Sequence, residues 1–69
     1  MPYISFEAGP LTLETKRQLI SKLTEVSAQV MGIPADYFFV SIRELPNENI
    51  AIAGKNVNEL RAELALRNR

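Results

Sequence analysis

Residues 11–34, LTLETKRQLISKLTEVSAQVMGIP, lie between two stretches that alternate apolar and polar side chains, and how they fold decides the architecture. Leu19, Ile20, Leu23, Val26 and Val30 recur at three- and four-residue spacings. On a helix these fall on one apolar stripe, with Lys16, Arg17, Lys22 and Glu25 largely outside it. Thr12 suits the N-cap, and Glu14 stands in the first turn, where the positive end of the helix dipole favours an anion. Gly32 suits the left-handed residue that follows a helix end, and Pro34 prevents the helix from resuming, so the spacing predicts a helix running to about Met31.

On the N-terminal side, Pro2 to Glu7 alternate: Ile4 and Phe6 share one face, and Tyr3, Ser5 and Glu7 the other, as in a half-buried strand. On the C-terminal side, DYFFVSIREL (36–45) is rich in aromatic and β-branched residues and predicts a second strand. Phe38, Val40 and Ile42 are expected on one face, and Phe39, Ser41 and Arg43 on the other. Strand, helix, strand is a βαβ unit, whose crossover makes the two strands parallel and lets the helix cover one face. PNEN (46–49) reads as a turn and IAIAG (50–54) as a hairpin arm. NVNELRAELALRN (56–68) reads as a C-terminal helix with Val57, Leu60 and Leu64 inward. The expected fold class is α/β, a single domain over residues 1–69 made of a βαβ protomer with a short C-terminal hairpin and helix.

A 69-residue chain hides only about 60% of the surface that its unfolded form exposes, so its own core is marginal. Chains of this size gain stability from disulfides, a metal or association. With no cysteine and no histidine, association is what remains, and the 46% apolar content then implies apolar surface turned toward a neighbouring subunit. Eight basic and eight acidic residues are spread along the chain for a net charge of zero. Such a surface does not fit a nucleic-acid partner, which calls for a basic patch. The arginines of LRAELALRNR (60–69) read as cations favourably placed at a helix C-terminus. No apolar run approaches the roughly 20 residues of a membrane span, and no signal-peptide pattern is visible, so a cytoplasmic protein is expected.

The missing histidine and cysteine exclude a Ser-His-Asp triad, a thiolate nucleophile and the usual zinc sites. The eight carboxylates show no metal-ligand or paired spacing, and no glycine-rich phosphate loop occurs. Neither a metal nor another cofactor is expected, and any enzyme built on this chain needs an unusual general base. Pro2 offers one. Removal of an initiator methionine would leave a secondary amine at the first atom of the chain. Free α-amino groups titrate near 7.7 to 8.0, and burial or a nearby cation lowers that toward the range where general bases work best. With Met1 attached, the same nitrogen is an amide whose lone pair is delocalised into the carbonyl.

Taken together, Pro2 behind the methionine, LTLETKRQLISKLTEV (11–26), FFVSIREL (38–45) and NIAIAGK (49–55) resemble the 4-oxalocrotonate tautomerase family of the tautomerase superfamily, over nearly the whole chain from Pro2 to about Lys55. The resemblance implies βαβ protomers that pair their sheets, commonly three such pairs forming a hexamer. It also implies an amino-terminal proline that acts as acid or base on keto-enol substrates. The family places an arginine before the helix, a second in the second strand and a phenylalanine in the hairpin, one arginine coming from a neighbouring subunit. Here those positions hold Pro10 or Leu11, then Phe39, then Ile50.

The expected function is therefore that of an isomerase with Pro2 as general base. Its substrate would be a small 2-oxo or enol acid, held in a pocket that Leu11, Phe39 and Ile50 make more apolar than the family pattern, which favours a monoacid or aromatic enol over a diacid. Arg43 shares the strand parity of Phe39 but lies roughly 13 Å farther along. It is the candidate ligand for the substrate carboxylate, set against a rim or intersubunit ion pair with Glu44 or Glu48. Tyr3 is either an outward strand residue packed on a partner or a proton-donating phenol. A homo-oligomer, hexamer or dimer, is expected. Two other readings are a non-catalytic subunit of a mixed hexamer, whose second chain supplies the arginines, and a hydratase- or dehalogenase-like relative that adds water with Pro2 as the acid.

Overall fold

The computed structural model describes residues 1–67. Asn68 and Arg69, which end the expected C-terminal helix and arginine cluster, lie outside them. β1 (Tyr3–Ala8) and β2 (Phe39–Glu44) pair in parallel, with Tyr3 opposite Phe39 and Glu7 opposite Arg43, and α1 (Leu13–Met31) connects them. The caps of α1 match the sequence reading. The Thr12 hydroxyl accepts the Thr15 N–H at 3.1 Å. Gly32, at φ 68°, donates its N–H to the Ala28 carbonyl at 2.9 Å, a conformation that a side chain would strain.

Both strands start later than the alternation predicts, for reasons that lie in the backbone. Pro2 has no N–H to give a ladder, so β1 begins at Tyr3. Residues 35–37 close a 3₁₀ turn behind Pro34, with Tyr37 N–H on the Pro34 carbonyl and Phe38 N–H on the Ala35 carbonyl, both at 3.1 Å. The ladder resumes where the Phe39 N–H reaches the Pro2 carbonyl at 3.0 Å.

Helix α1 packs against β2. Ile4, Phe6, Val40 and Ile42 are half-buried, as are Leu19, Leu23, Ser27 and Ala28 of the helix. The expected apolar stripe is only partly covered: Ile20, Val26 and Val30 remain exposed, Val30 at 80%. Two strands about 4.8 Å apart are narrower than the stripe, so its flanks overhang the sheet. Lys16, assigned to the solvent side by its charge, is instead half-buried on the sheet side and paired with Glu44.

After β2 the chain makes a 3₁₀ turn at Asn47–Asn49 and a two-residue hairpin, β3 (Ala51–Ile52) and β4 (Lys55–Asn56), in a sheet of its own. Ala53 and Gly54 at the tip have φ of 54° and 80°, as a type I′ turn requires. α2 (Val57–Arg67) packs on this turn and hairpin, held by the Asn56 side chain on the Glu59 N–H and by a Lys55–Glu63 ion pair. Val57 and Leu60 point inward as expected. Leu64 does not: it is 53% exposed, because α2 has only the hairpin and turn to lie on.

No residue among those described is buried. The radius of gyration is 16.3 Å and the long dimension 48 Å, whereas a compact chain of this length would have a radius of about 11 Å. The protomer is a thin βαβ body carrying a hairpin-helix arm, with a half-shielded layer in place of a core.

Candidate active site

Pro2 stands half-buried at the head of β1, and its carbonyl is tied to the Phe39 N–H. The next residue, Tyr3, stacks on Phe39 across the two strands, with ring centroids 6.3 Å apart and planes inclined by 22°. Both rings lie on the face away from α1 and are exposed. Continuing along that face come Ser5 opposite Ser41, then Glu7 opposite Arg43. Arg43 Nη1 is 3.9 Å from a Glu7 carboxylate oxygen, so within the protomer its ion-pair partner is Glu7, where the sequence reading named Glu44 and Glu48 as examples. The parallel register, which the sequence alone did not give, sets this pairing.

The other end of the strands holds a concavity of about 290 Å³ lined by Glu7, Ala8, Gly9, Leu45 and Ile50. Gly9 is closely approached: a Cβ there would come within 3.2 Å of the Asn47 side-chain oxygen and 3.8 Å of Ile50. Leu11 sits at this end too. Its N–H donates to Glu44 Oε1 at 2.8 Å, and the second oxygen of Glu44 takes the Lys16 ammonium at 3.1 Å. These two donors, the Leu11 N–H foremost, hold the Glu44 carboxyl below the ordinary carboxylate range.

One protomer therefore divides the candidate residues between two ends. Pro2 and Phe39 are together at one; Leu11 and Ile50 are together at the other, six residues or roughly 20 Å away, with Arg43 near that second end. The Glu44 clamp was missed by the sequence reading, although a signal existed. Glu44 shares the parity of Val40 and Ile42, so it points toward the helix, where a carboxylate needs partners. Among the described residues no group of acidic side chains is arranged to hold a metal ion, and no helix is long and apolar enough to cross a membrane.

This fold, with a proline at the head of its first strand, meets a family profile described as tautomerase enzyme, which matches residues 2–60. The chain belongs to the tautomerase family. It is similar to the 2-hydroxymuconate tautomerase of Bacillus subtilis (strain 168), at 31% identity over 61 residues covering 87% of this chain and 98% of that protein. Its fold matches that of an apo unfused 4-OT, with a TM-score of 0.78 and 36% identity over 84% of this chain and 97% of the other. It also matches a 4-oxalocrotonate tautomerase isozyme of Methylibium petroleiphilum, with a TM-score of 0.81 and 30% identity over 86% and 97% of the two chains. Membership of the tautomerase family supports a tautomerase-like function.

Proposed function

We propose that this tautomerase-family chain, once Met1 is removed, uses the secondary amine of Pro2 to move a proton in the keto-enol interconversion of a small 2-oxo or enol acid. The observation that carries the reading is the place of Pro2: it heads β1, one residue from the open sheet face. In the ketonisation direction the neutral amine takes the enol O–H proton, the carbonyl forms, and the resulting ammonium returns the proton to carbon. One O–H bond breaks, one C–H bond forms, and the base is restored.

The same reading requires a second copy of the chain. A two-fold axis across the strands reverses their direction, so the Pro2–Phe39 end of one protomer meets the Leu11–Ile50 end of another. Arg43 of that second copy then approaches as a ligand for the substrate carboxylate. An elongated protomer with no buried residue among those described is consistent with such pairing, and a homodimer or a hexamer of three pairs satisfies it.

The test begins with the intact mass of untagged protein. A mass short by one methionine, with turnover of phenylenolpyruvate or 2-hydroxymuconate that falls about 100-fold or more in Pro2→Ala, is the expected result. Retention of Met1 leaves the nitrogen an amide without useful basicity. That outcome, or an unchanged rate in Pro2→Ala, would replace this reading with that of a non-catalytic subunit.

A further inference from the structure

We propose that Glu44 is a positioning residue of the site: through the Leu11 N–H it holds residues 9–12 as one wall of the concavity, and so sets how tightly substrate is held without touching it. The proposal rests on the reading in which the Leu11–Ile50 end of one copy faces Pro2 of another, and it names what keeps that end in shape. The concavity is lined by Glu7, Ala8, Gly9, Leu45 and Ile50, so Glu44 acts on it from behind the loop.

The loop that enters α1 is tied twice to one stretch of β2 and its end. Leu45 donates its N–H to the Ala8 carbonyl at 2.9 Å, and Leu11 donates its N–H to Glu44 Oε1 at 2.8 Å. Between the ties lie Gly9 and Pro10. Pro10 has no N–H to give, so the Glu44 bond sets the far end of the wall. On its other side the wall meets the turn after β2, where a Cβ on Gly9 would come within 3.2 Å of the Asn47 side-chain oxygen and 3.8 Å of Ile50. With the backbone this close to Ile50, a small shift of the loop changes the width of the concavity.

Glu44 is itself held in place. Lys16 takes its second oxygen at 3.1 Å, and the two side chains are 30% and 35% exposed, against 73% and 62% for Arg43 and Glu7. A carboxylate sheltered to that degree and bonded at both oxygens makes stronger hydrogen bonds than an exposed one and keeps one orientation. Its effect falls on binding, because the amine that moves the proton belongs to the other copy.

The experiment measures kcat and KM for phenylenolpyruvate and 2-hydroxymuconate in methionine-free wild type, Glu44→Gln and Glu44→Ala at pH 7. Sedimentation and urea midpoints are read on the same samples. Glutamine keeps a carbonyl oxygen for the Leu11 N–H and loses the charge; alanine loses both. Glu44→Ala is expected to raise KM by about tenfold, inside the range for a displaced binding group, and to leave kcat within about twofold. Glu44→Gln should be less stable than wild type and still keep KM within about threefold of it. Should alanine fail to fold, Glu44→Met, which keeps the length of the side chain without its acceptor, carries the same expectation.

A role in stability alone would lower the midpoints of both variants and leave KM unchanged, and that result overturns the proposal. So would a KM raised equally in both, an alanine variant that loses only kcat, or one that no longer assembles. If wild type turns over neither substrate, or Pro2→Ala is as active as wild type, the base reading fails by itself. The dissociation constants of the inert acids cinnamate and muconate, followed by tyrosine fluorescence, then decide. Binding that weakens by about fivefold or more in Glu44→Ala and survives in Glu44→Gln supports the positioning role; equal binding in all three proteins, or none in wild type, rejects it.

Discussion

The Glu44 carboxylate and the Leu11 N–H meet at 2.8 Å, joining the end of β2 to the loop that enters α1. The contact links residues 33 positions apart and, with Lys16 on the other oxygen, fixes the end of the sheet that carries the candidate residues Leu11 and Ile50. Because these donors favour the charged form, the folded pKa of Glu44 lies below its unfolded value of about 4.3. The associated stability is fully present above that unfolded value and is lost as pH falls through the lower, folded one. Glu44→Gln should therefore have a lower urea midpoint than wild type at pH 7, with the two converging as pH falls below the ordinary carboxylate range at equal chain concentration. A constant difference across that window would remove the charge from the explanation.

At the hairpin tip, Ala53 holds φ 54°, a left-handed conformation costing a non-glycine residue about 1 kcal/mol or more. Ala53→Gly, or Ala53→Asn to give the favoured Asn-Gly pair, should stabilise the protein by several tenths to about 1 kcal/mol. Gly54→Ala, at φ 80°, should destabilise it by at least about 1 kcal/mol. Thermal midpoints at fixed concentration measure both, and equal effects at the two positions would reject the turn geometry.

The ends of α1 give a matched pair. Thr12→Ala removes the acceptor for the Thr15 N–H and should cost about 1 kcal/mol. Thr12→Ser keeps the hydroxyl and should cost much less. If the serine variant is as damaged as the alanine one in chemical denaturation, the cap hydrogen bond is not what Thr12 contributes.

Features coded by single residues or by short-range periodicity were legible in the sequence. Thr12, Gly32 and Pro34 bracket α1, and the alternation in residues 2–7 and 38–43 separates the two sheet faces, because these signals act through local backbone chemistry. Features that depend on what lies opposite were not legible. Tyr37 is as β-prone as the residues after it, yet it lies in the 3₁₀ turn Ala35–Tyr37 and has no β1 residue opposite it. Leu64 has the spacing of an inward residue but meets no layer. For the candidate site, Pro2, Phe39, Leu11 and Ile50 could be named as candidates from the sequence, whereas their division between two ends and the Arg43–Glu7 pairing follow from a register that no single stretch encodes.

Arg43 then allows a sharper kinetic test of the two-copy site. Paired with exposed Glu7 at 3.9 Å, it is weakly held and available to a substrate carboxylate. Arg43→Ala should raise KM for an enol carboxylate by about tenfold or more, the scale of a lost hydrogen bond to a charged group, and spare the corresponding ester. Glu7→Gln should lower KM for the carboxylate. Equal effects of Arg43→Ala on acid and ester would reject the contact.

Association itself is open to a direct measurement. With no buried residue among those described and a shape far longer than a compact chain of this length, the protomer lacks the shielded apolar area that offsets chain entropy. Its folding is then linked to assembly, and for a dimer each tenfold dilution removes about 1.4 kcal/mol of apparent stability. At the scaling of small domains that lowers Tm by roughly 5 °C or more per decade of concentration. Calorimetry from millimolar to micromolar chain, alongside sedimentation, reads this slope. A Tm independent of concentration in a species sedimenting at 7.7 kDa would mean that the chain folds alone, and the two ends of the candidate site would then have no means of meeting.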